Sequence, residues 1–222
     1  MERALGLFLD FHQDAFLIKT KTPEKGDSKR ELMSMLSSSF DPLGYLAPVL
    51  FPAKLILQRV CRDQVPWNDA PDAETIQEWR AWMESLSYLK PLIIPRCYSS
   101  DTSQPTAIDL HVFGDASEPG FGAVAYLRFI YSDSVRIAFV MAKSRVSPQQ
   151  FVSIPRLELC ADLLGVRLHE IVKRELRLPI RRSVFWSDST TVLSWISSRS
   201  CKFNIYVANR VGEILETTEP AQ

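Results

Sequence analysis

Three carboxylates have the type and setting for chemistry: Asp115 in Gly114-Asp115-Ala116-Ser117, Glu158 in Arg156-Leu157-Glu158-Leu159, and Asp188 in Ser187-Asp188-Ser189-Thr190. Asp115 closes a predicted strand, Glu158 falls in the first turn of a predicted long helix, and Asp188 follows a later predicted strand. Gathered acidic groups repel one another unless a cation relieves them, and an all-oxygen ligand set suits Mg²⁺ or Mn²⁺ better than zinc or copper. Two such ions about 3.5–4 Å apart can activate a water on one side of a phosphodiester and stabilise the leaving oxygen on the other. The chemistry indicated is metal-dependent phosphodiester hydrolysis, with Asp115, Glu158 and Asp188 as metal ligands and catalytic groups. Each residue alone has a plainer role. Asp188 ahead of Ser189-Thr190-Thr191 can cap a helix, and Glu158 can complement a helix dipole. Only their joint placement argues for a site.

The elements that must position them are legible as periodicities. Residues 108–113, 122–127 and 136–142 carry the β-branched and aromatic residues of strands and are expected to be antiparallel neighbours. Ser153 is placed to cap a long helix with Pro155 in its first turn and Leu157, Ala161, Leu164, Leu168 and Ile171 as its buried stripe. Gly165 is expected to allow close packing. Residues 183–187 make a fourth strand, followed by helical patterns through Val192, Leu193 and Ile196 and through Phe203, Val207, Val211 and Ile214. The order βββαβα predicts a mixed sheet in an α/β fold, its fourth strand parallel to the first after a right-handed crossover. Asp115 and Asp188 then emerge side by side where strand order reverses, the crevice in which open α/β sheets hold ligands. Glu158, about 100° round the helix from Leu157, lies at its rim.

Upstream, 5–10 and 15–20 read as a β-hairpin. Ser28 and Glu31 have capping-box spacing ahead of a short helix, which Asp41-Pro42 stops. Further helices are predicted over 48–62 and 73–89, the latter with Trp79, Trp82, Met83, Leu86 and Leu89 on one face. The polar, Pro-containing stretch 97–106 divides these halves, giving segments 1–96 and 107–222 with a linker between.

Composition bounds the rest. The chain has 222 residues, 46% hydrophobic and 23% charged, with 8 Gly and 14 Pro, which excludes collagen-like and disordered classes. Lys plus Arg and Asp plus Glu both number 26, so any nucleic-acid binding must be local. Cys61, Cys97, Cys160 and Cys201 form no Cys-x-x-Cys pair, and buried or free thiols are expected. With no apolar membrane span and no secretion signal at Met1-Glu2-Arg3, an intracellular location, cytoplasmic and extending to the nucleus, is the expectation.

The strings HVFGDASEPGFGAVAY, MAKSRVSP, SIPRLELCADLLGVRL, VFWSDSTTVLSWI and YVANRVGEI, in that order, resemble the ribonuclease H region of the polyprotein of BEL/Pao-type retrotransposons. ALGLFLD, SMLSSSFDPLGYLAPV, AKLILQ, PWND and IIPR resemble the part of that polyprotein that follows the reverse-transcriptase palm, a thumb or connection-like segment. The resemblance implies a ribonuclease H-like mixed sheet flanked by helices, and cleavage of the RNA strand of an RNA/DNA hybrid with two Mg²⁺ or Mn²⁺ ions. By position it assigns Asp115, Glu158 and Asp188, the residues already singled out. It implies partners in the remainder of the polyprotein: reverse transcriptase upstream, the rest of ribonuclease H and integrase downstream, and no membrane.

The family's fifth strand and closing helix, which bears a fourth aspartate, have no counterpart before Gln222, so an incomplete domain with impaired cleavage is the expectation. Lys143, Arg145 and Arg156, near the start of the long helix, are candidate phosphate-binding residues. Trp79, Trp82 and Trp195 suit core positions better than base stacking. The alternative to an enzyme is a non-catalytic nucleic-acid-binding remnant. An aspartic peptidase would need Asp-Ser/Thr-Gly turns, and neither Asp115-Ala116-Ser117 nor Asp188-Ser189-Thr190 is one.

Overall fold

The computed structural model describes residues 2–4, 7–18, 26–39, 41–99, 104–198 and 202–220. The chain divides into two compact units, one of Met1–Pro42 with Leu46–Cys97, the other of Leu43–Tyr45 with Tyr98–Gln222.

In the first unit, strands β1 (Glu2–Ala4), β2 (Leu7–Asp10), β3 (Ala15–Ile18) and β4 (Leu92–Pro95) form an antiparallel sheet in that order, with helices α1 (Lys29–Ser38), α2 (Ala47–Arg62) and α3 (Ala73–Ser87) between β3 and β4. The expected hairpin is the β2–β3 pair, and its predicted outer residues 5–6 and 19–20 lie outside the described residues. It is not alone, because β4 pairs with β3, a four-residue run ending in proline that has too little alternation to read as a strand. The hairpin turn is stabilised locally: the Asp10 carboxylate accepts from the His12 N–H at 2.9 Å and the Gln13 N–H at 3.3 Å. α1 starts at the predicted capping box, Ser28 Oγ accepting from the Glu31 N–H and Glu31 Oε2 from the Ser28 N–H. Trp79, Trp82 and Leu86 of α3 are buried, whereas Leu89 is 41% exposed because the helix ends at Ser87 before its stripe completes another turn.

In the second unit, β5 (Ala107–Ser117), β6 (Gly120–Ile130) and β7 (Val135–Val146) run antiparallel, α4 (Ile154–Glu175) crosses over, and β8 (Ile180–Trp186) returns parallel to β5. Helices α5 (Thr190–Ser197) and α6 (Ile205–Thr217) follow. The sheet order is β7-β6-β5-β8, the mixed α/β arrangement predicted from the element order. Alternation on β5 sends Ile108, Leu110 and Val112 into the core, where they meet the stripe of α4. Leu110, Leu127 and Leu168 have no exposed surface, and full burial of each contributes about 1.5–3 kcal/mol. Gly165 lets α4 approach the sheet, since a Cβ there would stand 3.0 Å from Val112 Cγ1.

The Leu43–Tyr45 segment lies on β7: the Ala142 N–H donates to the Leu43 carbonyl at 2.8 Å, and the Tyr45 ring sits 4.5 Å from that of Phe139. Gly44 has φ +81° and faces the Ala142 carbonyl where any Cβ would collide, so this step of chain requires glycine. Cys61, Cys97 and Cys160 form no disulfide, and Cys61 and Cys97 are exposed while Cys160 is half-buried; Cys201 lies outside the described residues. Among the described residues no helix is long and apolar enough to cross a membrane.

Candidate active site

Asp115 sits near the end of β5, paired across the ladder with Gly122, with an exposed side chain whose Oδ1 accepts its neighbour Ala116's N–H at 2.7 Å. The parallel pairing of β8 with β5 sets Phe113 opposite Trp186, so the chain leaves both strands at the same end, toward Asp115 on one and Ser187-Asp188 on the other. Asp188 is exposed and does not cap α5. That role belongs to Ser189, buried to 5% exposure, whose Oγ accepts from the Val192 N–H at 3.2 Å. The capping explanation for Asp188 therefore falls away.

Glu158 is the fifth residue of α4, beyond the first turn in which the sequence pattern sets it, because the helix begins at Ile154. A dipole role loses force one turn in. The Ser189 hydroxyl instead donates to Glu158 Oε2 at 2.5 Å, tying α4 to the start of α5. Ser153 holds the N-cap position of α4 but makes no side-chain capping bond.

A fourth carboxylate belongs to this group and is missed by sequence reasoning. Asp162 lies one turn beyond Glu158 on α4, and its Oδ2 is buried without a hydrogen-bond partner among the described residues. Burial pushes its carboxyl up to about 7; the hydrogen bond with Ser187 opposes the rise, and the negative charges of Glu158, Asp188 and Asp115 add to it. Asp162 thus feels all three predicted carboxylates. The available signal was the i, i+4 spacing from Glu158, which places two acids on one helix face.

Trp186 is a second omission. It is 49% exposed, stacks on Phe113 at 5.8 Å between centroids and 7° between planes, and donates from Nε1 to His111 Nδ1 at 3.0 Å. Period-two counting back from Asp115 gives Phe113 on the same strand face. Trp79 and Trp82 are core residues as expected, and Trp195 is half-buried against the α4–α6 cluster.

The three predicted cations do not gather with the carboxylates. Lys143 and Arg145 are on β7, at the opposite edge of the sheet from β8, and Arg156 lies 5.3 Å over the Tyr206 ring.

The donor chemistry suits a hard divalent cation: the ligand candidates are all carboxylates, and the charges of three of them add to the upward shift of a fourth whose Oδ2 is buried without a hydrogen-bond partner among the described residues. Their spacing is looser, since among the described residues no three acidic, His or Cys side chains stand close enough together to hold one ion.

A family model described as a Pao retrotransposon-like RNaseH-like domain matches residues 28–189, more than half of the chain. No curated protein matches.

Proposed function

We propose, on the premise that the chain belongs to the Pao retrotransposon-like RNaseH-like domain family, that its second unit hydrolyses the RNA strand of RNA/DNA hybrids. One observation carries the reading: β8 returns parallel to β5, so Asp115 and Asp188 leave neighbouring strands at one end, while Glu158 and Asp162 approach from α4.

In this mechanism Asp115, Glu158 and Asp188 are the residues that would hold divalent metal. The bound ions, Mg²⁺ or Mn²⁺, would supply an activated water and stabilise the leaving oxygen. The protein's own contribution is orientation. Ser189 fixes one oxygen of Glu158, and the backbone of β5 and β8 fixes the points from which Asp115 and Asp188 depart. Ser187, bonded to Asp162, anchors the turn that carries Asp188. The exposed Trp186–Phe113 stack beside this end offers an apolar surface to nucleotide rings. Lys143, Arg145 and Arg156 contribute charge to the duplex at a distance from the cut. The first unit corresponds to the thumb or connection-like end of reverse transcriptase, joined through 97–106, and the chain works beside the other enzymes of its polyprotein.

The test is incubation of the protein with a labelled hybrid in Mg²⁺ or Mn²⁺. The expected result is slow, metal-dependent cutting of the RNA strand, reduced at least 100-fold by Asp115→Asn, the order expected for loss of a group that acts only in the transition state. Residual cutting equal in the parent and Asp115→Asn proteins would overturn the assignment. A second reading, hybrid binding without turnover, is favoured by the looseness of the carboxylate spacing. Salt-sensitive binding with no cutting in either metal would select it.

A further inference from the structure

Along α4, two stripes face two different places. Glu158 and Asp162 belong to the carboxylate end. Cys160, Leu163, Leu164 and Arg167 follow the i, i+3, i+4, i+7 pattern of a separate face, and Cys160 is about 200° round the helix from Glu158. That second face lines a cavity of about 310 Å³ closed by α6 and by the ends of β6 and β7. Ligand pockets begin at roughly 300 Å³, so the space suits a small organic molecule.

Its charge is one-sided. Arg145 from β7, Arg167 from α4 and Arg210 from α6 all line it, against one carboxylate, Glu213. Arg145 lies directly across the ladder from Phe121, which packs against the core on the α4 side of the sheet, so the guanidinium and the apolar wall share a face. Arg210 lies 3.5 Å over the Tyr206 ring and donates to the Tyr206 carbonyl at 3.0 Å, which holds its guanidinium at the rim. Arg167 is held by Glu213 through two bonds of 2.6 and 2.9 Å, in the two-pronged geometry a guanidinium offers to carboxylate or phosphate. Glu213 therefore occupies the donors that an incoming anion would use.

We propose that this cavity binds a phosphate ester of about the size of one nucleotide. The phosphate lies between Arg145, Arg167 and Arg210, and the organic part lies against Phe121, Pro148 and Leu163. Three guanidinium groups from three elements match the oxygens of a phosphate better than a single-point anion, and a bare phosphate would leave the apolar walls uncovered. The source of the ester is either a free nucleotide or one residue of a nucleic-acid strand. The proposal needs no hydrolysis at the carboxylates and shares only Arg145 with the reading above.

Calorimetric titration of the full chain with uridine monophosphate, with inorganic phosphate and with a twelve-residue single strand tests it. Saturable binding is expected, weakening with salt, reduced at least tenfold by Arg145→Glu and strengthened severalfold by Glu213→Gln, which frees Arg167. A gain of affinity in Glu213→Gln cannot come from a misfolded protein. Equal affinity for the mononucleotide and the strand identifies a free nucleotide as the source, and binding of the strand alone identifies a backbone phosphate. Binding of none of the three probes, indifference to Arg145→Glu in a folded variant, or weaker binding by Glu213→Gln would overturn the proposal.

Discussion

At the scale of the residue, the buried titratable groups respond to pH in opposite senses. Burial raises Asp162 to about 7, so the folded state favours its protonated form. Its contribution is fully present below the ordinary carboxylate range and is lost as pH rises through about 7. Burial lowers His169 to about 4, and its Nε2 lies 2.8 Å from Ser183 Oγ. That contribution is present above the usual imidazole range and is lost as pH falls toward 4. The two slopes offset each other between these limits. In metal-free buffer Asp162→Asn is expected to unmask a stability that rises with pH, and to be more stable than the parent at pH 8 by on the order of 2 kcal/mol. Urea unfolding at pH 5 and pH 8 measures this, and an unchanged pH profile would show that Asp162 is ionised without penalty. Asp109 is the counter-case. Burial alone would raise it, but Arg181 and Arg182 donate to its oxygens at 2.8–3.2 Å and hold its carboxyl below the usual range. Sequence reasoning singled out Asp115, Glu158 and Asp188, but not Asp162 or Asp109. The environment of those two comes from chain far away: Arg181 is 72 positions from Asp109.

At the scale of the element, periodicity and capping chemistry predicted the framework well. The capping box at Ser28 and the buried stripe of α4 both appear in the structure, as does the strand leading to Asp188. The failures cluster at ends. β4, four residues that follow one proline and end in another, shows no alternation, and Leu89 lies past the end of the helix whose stripe it would extend. Ser189 joins two elements through one hydroxyl, capping α5 and donating to Glu158. Ser189→Ala is expected to cost about 1–2 kcal/mol of stability and, by freeing Glu158, to slow hybrid cleavage more than that loss of folded protein explains. Chemical denaturation and single-turnover cutting on one preparation separate the two effects. Gly165→Leu is expected to destabilise by about 1–3 kcal/mol because α4 already lies against Val112. A neutral result would show that the helix can lift from the sheet at no cost.

At the scale of the whole molecule, the division into two units assigns Leu43–Tyr45 to the second although its flanking residues belong to the first. Leu43 packs against the β5–α4 core, and Gly44 is the step that lets this short segment lie on β7. Gly44→Ala is expected to cost about 1–3 kcal/mol through a disfavoured backbone conformation and a steric clash. It should also speed hydrogen exchange at the Ala142 amide, which donates to Leu43. Protection of that amide unchanged in the variant would show that the segment is not held by this bond. The family match, residues 28–189, includes parts of both units.

The order and type of the elements of the second unit, and the positions of Asp115 and Asp188 at strand ends, were determined by the sequence alone, because alternation, helical spacing and capping are local properties of consecutive residues. Only the tertiary structure decided that Asp162 feels the charges of Glu158, Asp188 and Asp115, that Ser189 holds Glu158, and that three arginines from separate elements share one cavity. Those facts depend on burial and on charges brought close by folding. Coulombic and desolvation energies follow distance in space, whatever the separation along the chain.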